Sequence, residues 1–283
     1  MTTSVSTIRI SVGASTDVGL KRAVNEDSHL ASFPIFLVAD GMGGHEAGDR
    51  ASQAVVAALS LLEGRTDLAP ADVVGAIASA HLAVKTIADE MERGAGTTVT
   101  GLAIVQQESQ ARWLLFNLGD SRVYRLYEDE LEQLTVDHSV AQELVDQGKL
   151  LREDMGSYAG RNVITRAVGA DDGEADYWLM PVVTGERLLI CSDGLTGEVS
   201  DAALRAQLAL GGATQQTADV LVQLALRNGG RDNVTAVVID VLAGGVDPAL
   251  EQDTSSPDEA DSEIIEEIES TTMTVPSQRS KRA

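Results

Sequence analysis

Apolar residues fall along this chain with two different periods, and the switches between them mark out its elements. Ile8 to Val12 alternates apolar and polar and predicts a first strand. A polar, charged loop from Asp17 to Asp27 leads to an unbroken apolar run, Pro34 to Ala39, which reads as a buried strand ending on Asp40. From Glu46 the apolar positions Ala51, Ala54, Val55, Ala58, Leu59 and Leu62 trace one face of a helix. A second helix opens at Pro70, a residue tolerated in a first turn, and carries Val73, Ile77, Ala80, Val84, Ile87 and Met91 before Gly94 stops it.

The period then returns to two. Thr97 to Gln106, Arg112 to Leu118 and Arg122 to Tyr127 are strands at hairpin spacing, with a short fourth at Leu131 to Leu134. A helix is expected from Ser139 to Gln147, capped by Asp137 or Ser139. Gly148 to Gly160 has no period and reads as a surface excursion or flap. Strands follow at Tyr177 to Val183 and Arg187 to Cys191, then helices near Ala202 to Leu210 and from Thr214 to Arg227. Gly229-Gly230 ends the last helix, and Asn233 to Leu242 is a strongly β-branched closing strand. Short links favour antiparallel pairing, so the expected class is α+β: two packed antiparallel β-sheets flanked by antiparallel helix pairs.

The domain reading is one unit over 1–243 and a tail over 244–283. Asp247 to Glu269 holds ten acidic residues and no basic one, a composition expected to stay disordered. Within that tail, Thr271 and Thr272 follow the acidic run and are candidate kinase acceptors.

Charge and cysteine content narrow the class. A formal net charge of −23 argues against nucleic acid as a partner, because phosphates would be repelled. The single cysteine, Cys191, allows no intrachain disulfide and fits a reducing compartment. The N-terminus lacks a basic and apolar leader, and no apolar run was expected to reach membrane-spanning length. A cytoplasmic monomer with no membrane partner is the expectation.

The candidate chemistry lies at strand ends. Asp40-Gly41 alone reads as an ordinary turn dipeptide, or as a metal-binding carboxylate beside a glycine that lets the chain turn and a carbonyl approach. The pattern recurs at Gly119-Asp120, at Ser192-Asp193-Gly194 and at Arg231-Asp232-Asn233, each at the end of a predicted core strand. Four such carboxylates are poorly explained as four turns. Converging on one rim they would repel one another unless cations lay between them. With no His or Cys cluster, an all-oxygen donor set selects a hard ion such as Mg²⁺ or Mn²⁺. Two such ions about 3.5–4 Å apart can activate a shared water. This reaches a hydrolytic di-metal site without fixing its substrate.

The ordered motifs are more specific. Asp17-x-Gly-x-x-Arg22-x-x-Asn-Glu-Asp27, Asp40-Gly-Met-Gly-Gly44, Gly96-Thr-Thr, Gly119-Asp-Ser-Arg122, Asp137-His-Ser139, Asn162-Val-x-Thr-Arg166-x-x-Gly169, Ser192-Asp-Gly-Leu195 and Asp232-Asn-Val-Thr235 follow one another along the chain. Together they resemble the metal-dependent Ser/Thr protein phosphatases of the type 2C family, bacterial branch, over about residues 8 to 242.

The resemblance implies roles for particular residues. Asp40 would bridge two ions, with the Gly41 carbonyl on one of them; Asp193 and Asp232 would hold the other. Asp120, with Asp193, would offer a weaker third site. Glu26 and Asp27 would act through waters or by orienting the direct ligands. Arg22 would grip the substrate phosphate, as its planar fork suits; the plainer reading is a surface salt bridge with nearby acids. The implied reaction is in-line attack on phosphoserine or phosphothreonine by a metal-bridged hydroxide, on phosphoproteins that include a Ser/Thr kinase and its substrates.

Where many eukaryotic relatives carry a histidine after the Asp-Gly pair, this chain has Met42, with His45 or a water as substitute acid. His138 reads as part of a helix entry and Cys191 as a buried strand residue. Two alternatives stand beside this reading. One is a catalytically inactive type 2C-fold binding module, which would be expected to lose metal aspartates. The other is a di-metal phosphodiesterase, which the negative charge and the motif order disfavour.

Overall fold

A computed structural model describes residues 8–246, apart from 44, 45, 93 and 172. Among the described residues, eleven strands form two antiparallel sheets. The first sheet holds β1 (Arg9–Asp17), β7 (Arg122–Tyr127), β8 (Glu130–Gln133), β10 (Arg187–Cys191) and β11 (Val234–Ala243), in the order β1-β11-β10-β7-β8. The second holds β2 (Asp27–Ser32), β3 (Ile35–Met42), β5 (Val99–Gln107), β6 (Gln110–Leu118) and β9 (Asp176–Pro181), in the order β2-β3-β5-β6-β9, with the short β4 (Gly96–Thr97) paired to β3.

Three buried apolar clusters show how the layers stack. Phe36, Val38, Leu102, Trp113, Ile190 and Val237 pack between the two sheets, where Phe36 meets Trp113 edge-on at 6.2 Å. Outside the second sheet lie α1 (Glu46–Ser60) and α2 (Pro70–Glu90), which bury Val55, Leu59, Val73, Ile77 and Val84 against Leu37 and Val105. Outside the first sheet, α5 (Asp201–Ala209) and α6 (Thr214–Asn228) bury Leu204, Leu208, Leu221 and Val222 against Leu189 and Val238. Two sheets with a helix pair on each outer face is the architecture that the periodicity predicts.

Several boundaries differ from the sequence reading. Asp27, expected to end a loop, instead opens a strand through Ser32 that the periodicity does not predict; every residue of β2 pairs with β3 in register, from Asp27 opposite Asp40 to Ser32 opposite Ile35. The strand expected to stop at Asp40 runs on to Met42, because Gly41 and Met42 pair with Thr97 and Gly96. Helix α2 has the length and mean hydropathy to cross a membrane, contrary to the expectation that no run would. Here its apolar stripe, Val73, Ile77, Ala80 and Val84, is buried against α1 and the sheet.

The helix at Val140–Asp146 (α3) starts from Ser139, whose hydroxyl accepts the Gln142 N–H at 3.2 Å. The excursion after it carries a single 3₁₀ turn, Arg152–Ser157. After β11 the chain stays docked as far as Val246, whose N–H donates to Val182 O at 2.8 Å. The acidic run, Thr271 and Thr272 lie outside the described residues, as does the candidate acid His45.

Candidate active site

Five elements deliver carboxylates to one end of the sandwich. Asp40 is near the end of β3, Asp27 opens β2, Asp120 follows β6, Asp193 begins the short helix α4 (Asp193–Thr196), and Asp232 precedes β11. Glu26, Asp40, Asp120, Asp193 and Asp232 line one cavity of about 460 Å³, with Arg22 at its edge. A smaller cavity of about 130 Å³ adjoins it, sharing Asp120, Asn162 and Asp193 and reaching Met155 and Gly156 of the excursion.

Hydroxyls and an amide from elsewhere in the chain position the Asp40 backbone, the Asp27 carboxylate and the loop that carries Glu26. The Asp40 N–H donates to Thr98 Oγ1 at 2.9 Å, while the Asp40 carbonyl accepts from the Thr98 N–H and from Thr97 Oγ1, both at 2.9 Å. Thr98 Oγ1 in turn bonds Ser121 Oγ at 2.9 Å, linking the Asp40 strand to the residue after Asp120. Asp27 Oδ2 accepts from Thr235 Oγ1 at 2.7 Å and from Ser192 Oγ at 2.8 Å. Asn233 ties down the Arg22 loop: its Nδ2 donates to Val18 O and Val24 O, and its Oδ1 accepts the Glu26 N–H at 2.9 Å. These residues stand inside the quoted motifs without a task assigned from sequence; Ser121, Ser192 and Asn233 each adjoin an aspartate, whereas Thr97 and Thr98 adjoin none.

The two Asp-Gly glycines are required by crowding. A Cβ on Gly41 would lie 2.2 Å from Gly48 O, and one on Gly194 would lie 1.9 Å from Asn233 O. The turn expected at Gly41 is instead a continued strand, so close helix packing against its backbone explains the glycine better than conformational freedom does.

Burial and like charge act together on the acids. Burial first, then Asp27 and Asp193, push the Asp40 carboxyl well above its ordinary range. Burial, with the charges of Asp193 and Asp137, does the same to Asp120. Asp193 is raised by burial and by the charge of Asp232, while Asp40 beside it pulls the other way. Asp27 is pushed up to about 7, chiefly by burial, although Thr235 and Ser192 pull it down.

Divalent cations fit this donor set. Asp27 Oδ1 and Asp120 Oδ1 are buried with no hydrogen-bond partner among the described residues. Among the described residues that line the cavity the acids offer only oxygen, and none of the lining residues is a histidine or cysteine, which suits Mg²⁺ or Mn²⁺. No group of three or more such side chains lies close enough to hold one ion among the described residues.

Arg22 is where the plainer reading gains ground. Its Nη2 donates to Asp232 Oδ2 at 2.7 Å and Nη1 lies 3.8 Å from Glu26 Oε2. The side chain is 47% exposed, and because Nη2 already bonds Asp232 it can hold a phosphate with both Nη atoms only by sharing or leaving that carboxylate. Met42 lines the cavity in place of an imidazole. Cys191 is fully buried in β10 and its thiol is pushed up to about 12 by burial, which leaves it inert as a nucleophile.

This topology, with strand-end aspartates converging on one cavity, suits a di-metal site, and the comparisons give the family. Residues 21–225 match the family model described as Protein phosphatase 2C. The chain is 38% identical over 240 residues to the serine/threonine protein phosphatase PstP of Mycobacterium tuberculosis, covering 83% of this chain and 46% of that protein. It is 36% identical over 239 residues to the serine/threonine phosphatase stp of Listeria innocua, covering 80% of this chain and 93% of that one. Among solved structures, the catalytic domain of PstP in complex with two manganese ions aligns at a TM-score of 0.75 and 37% identity, covering 84% of this chain and all of that one. The chain belongs to the protein phosphatase 2C family. It spans about half the length of the mycobacterial relative it matches.

Proposed function

We propose that this chain is a metal-dependent protein serine/threonine phosphatase that removes phosphate from phosphoserine and phosphothreonine in proteins. The observation that carries this reading is the convergence of Asp40, Asp120, Asp193 and Asp232 on one cavity with Arg22 at its edge. A catalytically inactive module would be favoured by a missing carboxylate, and none of these is missing.

Asp40, Asp193 and Asp232 would hold two divalent ions, with the Gly41 carbonyl as a further donor and Asp120 serving a weaker third site. When bound, the ions supply Lewis acidity and lower the pKa of coordinated water. The protein's own contribution is placement. Thr97 and Thr98 fix the Asp40 backbone, Asn233 fixes the Arg22–Glu26 loop, and Ser192 and Thr235 hold the Asp27 carboxyl opposite Asp40 on the neighbouring strand. Arg22, released from Asp232, would bind two phosphate oxygens and offset the charge that builds on them as the ester bond breaks. Protein substrates would include a Ser/Thr kinase and its targets, in the cytoplasm.

The test is phosphate release from a phosphothreonine peptide and from a phosphodiester, with Mn²⁺ and with EDTA. Mn²⁺-dependent release from the peptide alone is expected. Preference for the diester, or release that persists in EDTA, would contradict the proposal.

A further inference from the structure

Gly119, the residue before Asp120, is gripped twice by a single partner. Its N–H donates to His138 Nδ1 at 3.1 Å, and its carbonyl accepts the His138 N–H at 2.9 Å. On the other side of the ring, His138 Nε2 lies 3.0 Å from Asp176 Oδ2. Arg166 holds Asp176 in turn, with Nη1 at 2.9 Å from Oδ1 and Nη2 at 3.2 Å from Oδ2. His138 is 4% exposed and does not line the cavity, so the reaction proposed above leaves it without a task.

These partners determine the state of the ring. A peptide N–H can only donate, so Nδ1 accepts, and the ring proton sits on Nε2, where it is donated to the Asp176 carboxylate. Turning the ring over would set carbon against both partners, so the hydrogen-bond network fixes orientation and tautomer together.

The position of Asp120 depends on this clamp. Gly119 adopts φ +122°, a region where glycine meets little resistance of its own. Asp120 Oδ1 has no hydrogen-bond partner among the described residues, so its direction is inherited largely from the backbone. The same histidine pairs with the segment facing the cavity, because the Thr165 N–H donates to His138 O at 2.9 Å and Ser139 bridges Ile164.

We propose that His138 is a positioning residue for Asp120: held as the neutral Nε2–H tautomer by Asp176 and Arg166, it clamps the Gly119 peptide and sets where the Asp120 carboxylate enters the cavity. This rests on reading Asp120 as an ion ligand.

The experiment is Mn²⁺ binding, followed by the electron paramagnetic resonance of free Mn²⁺, on proteins whose folding is checked by circular dichroism. Asp120→Asn identifies the site to which Asp120 contributes. His138→Ala is expected to weaken that same site by about tenfold, with the tighter sites unchanged. His138→Asn, whose Oδ1 can accept in place of Nδ1, should recover most of that loss. Long-range ¹H–¹⁵N NMR of the wild type should show the ring proton on Nε2. Binding by His138→Ala equal to wild type, an Asn variant no better than Ala, or a proton on Nδ1 would each overturn the proposal. Should the Ala variant fail to fold, the Asn variant and the wild-type tautomer still decide. If Asp120→Asn binds every ion as wild type does, the ligand reading of Asp120 fails first and this inference falls with it.

Discussion

Asp27 and Asp40 face each other directly across the β2–β3 pair, a buried carboxyl and a half-buried one at the same rung. Like charges in that relation destabilise a sheet. The arrangement is sustainable only if one carboxyl is protonated or a cation lies close by. The fold therefore stores, at one end of the sandwich, an electrostatic cost that divalent ions relieve.

The first consequence is a pH-dependent stability of the metal-free protein. Asp27 is raised to about 7 and Asp40 well above its usual range, so the folded state binds protons more tightly than the unfolded chain. Stability supplied by the protonated forms is present below the unfolded value of about 4 and is lost as pH rises towards about 7. In EDTA the melting temperature should fall between about pH 5 and about pH 7.5. Mn²⁺ should raise it more at the higher pH. Calorimetry at both pH values, with and without the ion, checks the sign.

Asp27→Asn separates charge from hydrogen bonding, since an amide oxygen can still accept from Ser192 and Thr235. The metal-free protein should gain on the order of 1 kcal/mol near neutral pH. Divalent affinity should fall at the same time. Urea unfolding in EDTA and Mn²⁺ titration measure the two effects separately.

Thr98→Val removes the hydroxyl between Asp40 N–H and Ser121 and keeps the shape. A buried N–H left unsatisfied costs about 1–3 kcal/mol. Thr98→Ser should restore both stability and turnover. Denaturant midpoints and kcat on the phosphothreonine peptide follow the series.

Gly194→Ala puts a Cβ into the Asn233 carbonyl, backbone against backbone, so neither atom can yield without moving α4 or β11. A cost of about 3 kcal/mol is expected. Asp193 and Asp232 flank that contact, so Mn²⁺ affinity should fall even in the protein that remains folded.

Arg22→Ala should leave stability within about 1 kcal/mol, because its ion pair with Asp232 is exposed to solvent. Losing a charged phosphate contact should lower kcat/KM by about 10- to 100-fold. Arg22→Lys should recover only part, for lack of the planar fork. Thermal melts and steady-state kinetics on one preparation show whether the residue serves the fold or the substrate.

The four strand-end aspartates were legible because each sets a charge against an apolar run and beside a glycine or another motif residue, a pattern that survives without knowing any contact. Strand β2 was not legible: Asp27-Ser-His-Leu-Ala-Ser32 has little apolar alternation, and its state comes from pairing with β3. The reason for Gly41 was hidden because the crowding atom belongs to Gly48, in a helix packed across the strand. The roles of Asn233 and Thr235 lay further off, since their partners Glu26 and Asp27 are 207 and 208 residues away in sequence. The Arg22–Asp232 pair spans 210 residues and shows why a phosphate-binding arginine and a salt-bridging arginine look identical in the sequence alone.

The most direct test of the account is calorimetric Mn²⁺ titration of wild type and Asp193→Asn, with phosphothreonine-peptide turnover measured on the same samples. The account predicts at least two ions and turnover in the wild type, with ion binding and turnover lost together in the folded variant. Turnover that survives in Asp193→Asn after its ions are lost, or a wild type that binds no Mn²⁺, would contradict it.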